Sequence, residues 1–104
     1  MNDKTIHLGG GLIKPPNLKV FKYNLPTSDG VIKVPMNINI TSCQLQYGKP
    51  CIWAEVDPNE ERTVDLSIKY AVTGADVPDG HQHLGTFLTN NDNFVLHAYM
   101  RVMG

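Results

Sequence analysis

The sequence predicts an all-β fold, specifically a small antiparallel β-sandwich or open barrel of about seven short strands with an extended N-terminal tail. The first observation behind this prediction is strict polar–apolar alternation over residues 63–73, which is typical of a half-buried antiparallel strand. The second is that turn signals rich in Gly, Pro, Asp and Asn separate the candidate strands. No stretch shows helical periodicity, so a sheet protein is expected.

In the strongest strand, residues 63–73, one face carries apolar side chains: Val64, Leu66, Ile68, Tyr70 and Val72. The other six predicted strands are residues 18–25, 31–34, 38–47, 51–56, 84–89 and 94–101. Within 38–47 the apolar parity changes between Ile40 and Cys43. This change predicts a β-bulge near Thr41 and Ser42.

The chain divides into a flexible or docking tail at residues 1–17 and a single β domain at residues 18–104. Its 104 residues suit one domain and are too few for two. The tail contains three consecutive glycines at 9–11, but no strand precedes them and no helix follows, so a phosphate-binding loop is not expected.

Cys43 and Cys51 lie eight residues apart. A hairpin turning at Gly48 and Lys49 would place Cys43 opposite Ala54, on a different rung from Cys51, so no cross-strand disulfide is expected. Both cysteines are interpreted as small buried hydrophobic residues with reduced thiols.

The formal net charge is -1, so no global basic field exists to hold a nucleic-acid backbone, and nucleic acid is an unlikely partner. No apolar segment follows Met1, and no run approaches the ~20 apolar residues of a membrane span. We therefore expect no membrane association and a location in the cytoplasm.

No spacing in the sequence indicates catalysis, so the chain is not expected to be an enzyme. The serines lie in no recognisable nucleophile turn, and neither cysteine has a histidine nearby in sequence. Glu55 and Asp57 share a strand parity, which is also an ordinary pattern for a solvent-facing strand. No cofactor is predicted.

Two imidazoles lie on one side of the strand if His81-Gln82-His83 is extended, but a closed metal site needs about four ligands, so no metal site is predicted. We interpret His81 and His83 chiefly as solvated loop histidines. His97 lies on the polar face of the last strand, beside Tyr99, as a hydrogen-bonded surface or interface residue.

Trp53 has the opposite parity from Ile52 and Ala54, so it belongs to a second core face, a subunit interface or a platform on which a ligand ring stacks. Cationic side chains that could contact an anion are also possible solvated charges. The candidate ligand-binding residues are Trp53, Tyr99, Lys22, Lys69, Arg101, His97, His81 and His83.

The stretch GKPCIWAEVDP at residues 48–58 carries a G-x-P-C-[IL]-W-A-x-V-D motif, which resembles a family of small, uncharacterised phage and prophage proteins. The resemblance continues through VFKY, VPM, CQLQ, LGTF and VLHAY, over about residues 20–100. It implies a non-enzymatic viral accessory protein that binds and neutralises a component of host anti-phage defence. The partner would be a host defence protein or a small nucleotide immune signal, which the protein would sequester.

Two alternatives stay open, namely a structural protein of the virion or its assembly, and a small hydrolase of a nucleotide signal. A homo-oligomer is expected in each case. The reasons are the apolar residues of the tail and the presence of Trp53, Val95 and Tyr99 on strand faces turned away from the core.

Overall fold

Eight β-strands form two four-stranded sheets in the computed structural model, which describes residues 6–8, 17–89 and 94–103. No helix occurs in this part of the chain. In chain order the strands are β1 (His7–Leu8), β2 (Lys19–Asn24), β3 (Gly30–Pro35), β4 (Asn39–Gln46), β5 (Lys49–Val56), β6 (Thr63–Val72), β7 (Gln82–Thr89) and β8 (Phe94–Met103). The predicted all-β fold is confirmed, and the sheets do not close into a barrel.

The first sheet has the strand order β1-β4-β5-β2, and the second has the order β3-β6-β8-β7. Neighbouring strands are antiparallel except for the parallel pair of β1 with β4, in which His7 lies opposite Asn39. β1 lies within the predicted tail, and residues 1–5 and 9–16 of that tail lie outside the described residues.

The core lies between the two sheets and takes alternate side chains from strands such as β5 and β6. From β5 it receives Ile52, Ala54 and Val56, all nearly inaccessible to solvent. From β6 it receives Val64, Leu66 and Ile68, as the alternation in residues 63–73 predicts. Because each strand has period two, the remaining side chains of β5 and β6 lie on the two outer faces of the sandwich.

The predicted β-bulge is present in β4. The register against β5 shifts between Ile40 and Ser42, so Thr41 is the extra residue. A second register shift lies in β7, between His83 and Gly85, and the sequence analysis did not predict it.

The turn between β4 and β5 differs from the prediction. Its central residues are Tyr47 and Gly48, both with positive φ (52° and 75°), as a type I′ hairpin turn requires. The predicted register is therefore wrong by two residues, and Cys43 lies opposite Ile52 instead of Ala54. The two cysteines still lie on different rungs, and both are free thiols.

A polar face on the second sheet

The outer face of the second sheet collects imidazoles, hydroxyls, a phenol and two cations. Because Leu66 and Ile68 of β6 face the core, the intervening residues of that strand face outward, and the same holds for β8 around Ala98 and Met100. We call this surface the imidazole face. It is formed by Ser67, Lys69, Thr73, His81, His83, Thr86, His97, Tyr99 and Arg101.

Strand register fixes the order of these side chains. Lys69, Tyr99 and His83 form one row across β6, β8 and β7. Arg101 lies opposite Ser67 at the neighbouring position on the same face. Six of the eight sequence-predicted ligand-binding residues are thus brought onto one surface, although they come from three separate segments of the chain.

A chain of hydrogen bonds crosses this face from β7 to the end of β6. The Thr86 hydroxyl lies 2.9 Å from His83 Nε2 and 3.0 Å from His97 Nδ1. His97 Nε2 lies 3.0 Å from the Thr73 hydroxyl. His83 also meets Tyr99 edge-on, with ring centroids 5.4 Å apart. These contacts hold the rings of His83 and His97 in fixed orientations.

His81 closes the loop between β6 and β7 over the sheet. Its Nδ1 lies 2.8 Å from the backbone oxygen of Asp79, and its Nε2 lies 2.9 Å from the Ser67 hydroxyl. Since a carbonyl oxygen can only accept, Nδ1–H donates to it, and Nε2 accepts from Ser67. This contact explains why Ser67 is only 9 % exposed although it faces away from the core.

The pairing of Ser67 with His81 was not predicted from the sequence. The two residues lie fourteen positions apart, and the loop that joins them has no periodicity from which its path could be predicted. The -Asp-Gly- step before His81 is the signal available in the sequence, since Gly80 has a positive φ of 69°.

Two cations of the imidazole face have no counter-ion among the residues that the structure describes. Neither Lys69 nor Arg101 makes a hydrogen bond or an ion pair with any side chain in the described residues. The Arg101 guanidinium packs against Gly80, where a Cβ atom would lie 3.4 Å from Nη1. On the same sheet, by contrast, Lys33 is paired with Asp65 at 2.8 Å. Two positive charges without a counter-ion among the described residues therefore lie beside Tyr99.

Trp53 and Lys22 lie on the other side of the molecule. They are paired in register on the outer face of the first sheet, and Lys22 Nζ donates to Gln46 Oε1 at 2.6 Å. The structure does not bring these two predicted residues together with the imidazole face. A ligand on one outer face cannot touch the other, because the core lies between them.

An open cleft of about 440 Å³ lies beside the imidazole face, between β4 and β7. It is lined by uncharged residues, namely Cys43, Gln44, Leu45, Thr86, Phe87 and Leu88. Burial, with a smaller contribution from Cys51, raises the pKa of the Cys43 thiol to about 12. The thiol therefore stays protonated near neutral pH and is a poor nucleophile and metal ligand there.

No group of three or more His, Cys, Asp or Glu side chains placed to hold a metal ion occurs within residues 6–8, 17–89 and 94–103. The same residues contain no helix long and apolar enough to cross a membrane.

The fold and the imidazole face define a small two-sheet β-protein with one polar, cation-bearing outer surface. The chain belongs to the family described as Domain of unknown function (DUF7352), whose model matches residues 16–103. That match includes strands β2 to β8 and therefore every residue of the imidazole face. Comparison with curated proteins finds no match, and comparison with solved structures finds none either.

Proposed function

We propose that the protein binds an anionic small molecule of the nucleotide class on the imidazole face and acts by sequestering it. The observation that carries this proposal is that two cations without an ion pair among the described residues both neighbour Tyr99. Lys69 lies opposite it on β6, and Arg101 lies two residues further along β8. Cations without a counter-ion favour a negatively charged ligand, and an arginine fork matches the geometry of phosphate oxygens.

Neighbouring groups supply the other contacts that a nucleotide needs. Tyr99 and His83 offer ring surfaces against which a base can stack, and base–aromatic stacking contributes about 1–3 kcal/mol per base. His83 Nδ1 has no partner among the described residues, so it is available for a hydrogen bond with the ligand.

The resemblance to phage and prophage proteins supports a role in neutralising host defence. In that setting the ligand is a nucleotide signal of host defence, and the protein neutralises the defence in the cytoplasm by lowering the free concentration of the signal. A homo-oligomer stays an expectation, because the tail is rich in apolar residues and because Trp53, Val95 and Tyr99 lie on strand faces turned away from the core. A host defence protein as partner, or a structural role in the virion, has no particular support in the described contacts.

Calorimetric titration with inorganic phosphate and with adenosine 5′-monophosphate tests the proposed site. Arg101→Gln and Lys69→Gln are each expected to weaken phosphate and nucleotide binding about tenfold or more, since each removes a charged hydrogen bond. Lys22→Gln is the matched control, because Lys22 lies on the opposite outer face. Equal losses in all three variants, or no binding to the wild-type protein, would contradict the proposal.

Sequestration requires that the ligand is recovered unchanged. After incubation with a nucleotide, heat denaturation of the protein should release the nucleotide intact, as judged by mass spectrometry. A hydrolysed product would instead support the second candidate below.

The second candidate function is hydrolysis of a nucleotide signal, and the contact of Ser67 with His81 favours it. A hydroxyl hydrogen-bonded to an imidazole, which is itself held by the Asp79 carbonyl, has the order of nucleophile, base and orienting group. Turnover that is lost in Ser67→Ala, with ligand binding retained, would establish this function. Turnover unaffected by the substitution would exclude Ser67 as the nucleophile.

A further inference from the structure

Thr86 lies between two imidazoles and has a single proton to share between them. Its Oγ1 is in hydrogen-bond contact with His83 Nε2 and His97 Nδ1. With both imidazoles neutral, each ring carries one N–H and one acceptor nitrogen. To keep both hydrogen bonds, the Thr86 hydroxyl must donate its proton to one ring and accept a proton from the other. The tautomer of one ring therefore determines the tautomer of the other.

Two arrangements of protons satisfy all three hydrogen bonds in the series that runs from Thr73 to His83. In the first, Thr73 donates to His97 Nε2, His97 Nδ1–H donates to Thr86, and Thr86 donates to His83 Nε2, which leaves a proton on His83 Nδ1. In the second, every bond is reversed, so His83 Nδ1 becomes an acceptor and the Thr73 proton is free. In any mixed arrangement, one of the three contacts has a donor facing a donor or an acceptor facing an acceptor, so that hydrogen bond is lost.

The geometry points to Thr86 as the residue that determines which ligands the imidazole face selects, an inference that rests on the proposed binding function. A phosphate oxygen at His83 Nδ1 requires a donor there and so selects the first arrangement. The Thr73 proton is then committed to His97, and Thr73 can only accept. When a ligand acceptor binds at His83, the Thr73 hydroxyl at the other end of the hydrogen-bond series can therefore accept a hydrogen bond from a ligand donor.

This coupling specifies a class of ligand. The series of hydrogen bonds runs from β7 across β8 to the end of β6. Its two ends are thus separated by two strand spacings, or about 10 Å. The preferred ligand carries an anionic acceptor at one end and a hydrogen-bond donor, such as an exocyclic amino group, at the other. A ligand with an acceptor at both ends leaves one acceptor facing Thr73 without a proton.

Adenosine 5′-monophosphate and inosine 5′-monophosphate are suitable probes, because the exocyclic amino donor of the first is a carbonyl acceptor in the second. The neighbouring ring N1 changes in the opposite sense, from an acceptor to an N–H donor. The titrations are carried out at pH 8. We expect the wild-type protein to bind the adenine nucleotide about three- to tenfold more tightly, the effect of one hydrogen bond. Thr86→Val should reduce this ratio to near one, and Thr86→Ser, which keeps the hydroxyl, should restore it.

Nitrogen-15 chemical shifts of the imidazoles report the coupling directly. Inorganic phosphate should move both His83 and His97 toward their Nδ1–H tautomers in the wild-type protein, whereas in Thr86→Val the shift of His97 should be absent. A preference unchanged in Thr86→Val, or equal binding of the two nucleotides by the wild type, would overturn the role of Thr86 while leaving the proposed site intact. If phosphate and both nucleotides fail to bind, the proposed function fails with it.

Discussion

Gly85 lies directly against Cys43 where the two sheets come together. A Cβ atom built on Gly85 would lie 2.9 Å from Cys43 Cβ and 3.0 Å from its Sγ, closer than real Cβ contacts. Gly85 also follows the register shift in β7, and its cross-strand partner Ala98 is fully buried. The bulge and the absence of a side chain together allow β7 to pack this closely on β4.

Gly85→Ala should therefore lower the free energy of unfolding by about 1–3 kcal/mol, the usual cost of overpacking. Urea denaturation followed by circular dichroism measures the change. In a Cys43→Gly background, which removes the opposing Cβ and Sγ, the cost of Gly85→Ala should be smaller. A cost that is the same in both backgrounds would mean that Cys43 is not the source of the strain.

Stability should fall in alkaline solution. Burial raises the pKa of Cys43 from 9.0 to about 12, and burial, with smaller contributions from Cys43 and Asp29, raises that of Tyr70 from 10.0 to about 12. Since the folded state binds these protons more tightly, the stabilisation is complete below pH 9 and is lost as the pH rises from 9 to 12. Denaturation midpoints across this range measure the loss.

Two variants test the assignment of this pH dependence. Cys43→Ala and Tyr70→Phe should each lower stability near neutral pH, the second because Tyr70 donates a 2.6 Å hydrogen bond to the Pro26 carbonyl. Each should also flatten the decline between pH 9 and 12. A decline as steep in the double variant as in the wild type would show that other groups cause it.

The loop between β6 and β7 should depend on His81 for its position. His81→Ala removes the contacts with Ser67 and the Asp79 carbonyl, so amide hydrogen exchange in residues 74–80 should accelerate. His83→Ala is the control, because His83 makes its hydrogen bond within β7. Similar acceleration in both variants would argue against His81 as the loop anchor.

Trp53 should not respond to a ligand on the imidazole face. Because the core separates the two outer faces, nucleotide binding should leave the intrinsic tryptophan fluorescence unchanged, and Trp53→Phe should leave the affinity unchanged. Tyr99→Ala, in contrast, should weaken nucleotide binding by the loss of a stacking surface. Strong quenching of Trp53 on binding would place the ligand on the first sheet instead.

The parts of the fold that follow from strand periodicity were predictable. Alternation in residues 63–73 gives the core face of β6, and the parity change between Ile40 and Cys43 gives the bulge in β4. The outward parity of His97 and Tyr99 was likewise available from the sequence. These features depend only on neighbours along one strand.

Features that depend on the packing of distant segments were not predictable. The contact of His81 with Ser67 depends on the path of a loop, and the pairing of β1 with β4 joins segments more than thirty residues apart. The strand order places β7 and β6 on either side of β8, and this order brings the six predicted ligand-binding residues together on the imidazole face. Polar–apolar alternation along a strand carries no information about strand order.

Because β4 contains one extra residue, the parity of its inward-facing residues changes along the strand. Before Thr41 the even-numbered Ile40 faces inward, and after it the odd-numbered Cys43 does. If Thr41 were paired in a regular strand, either Ile40 would be exposed or Gln44 would turn into the core. Deleting Thr41 would instead give Ile40 and Cys43 the same parity, so both could face inward without a bulge. The number of residues between Ile40 and Cys43 thus decides whether β4 needs a bulge to keep both side chains facing inward.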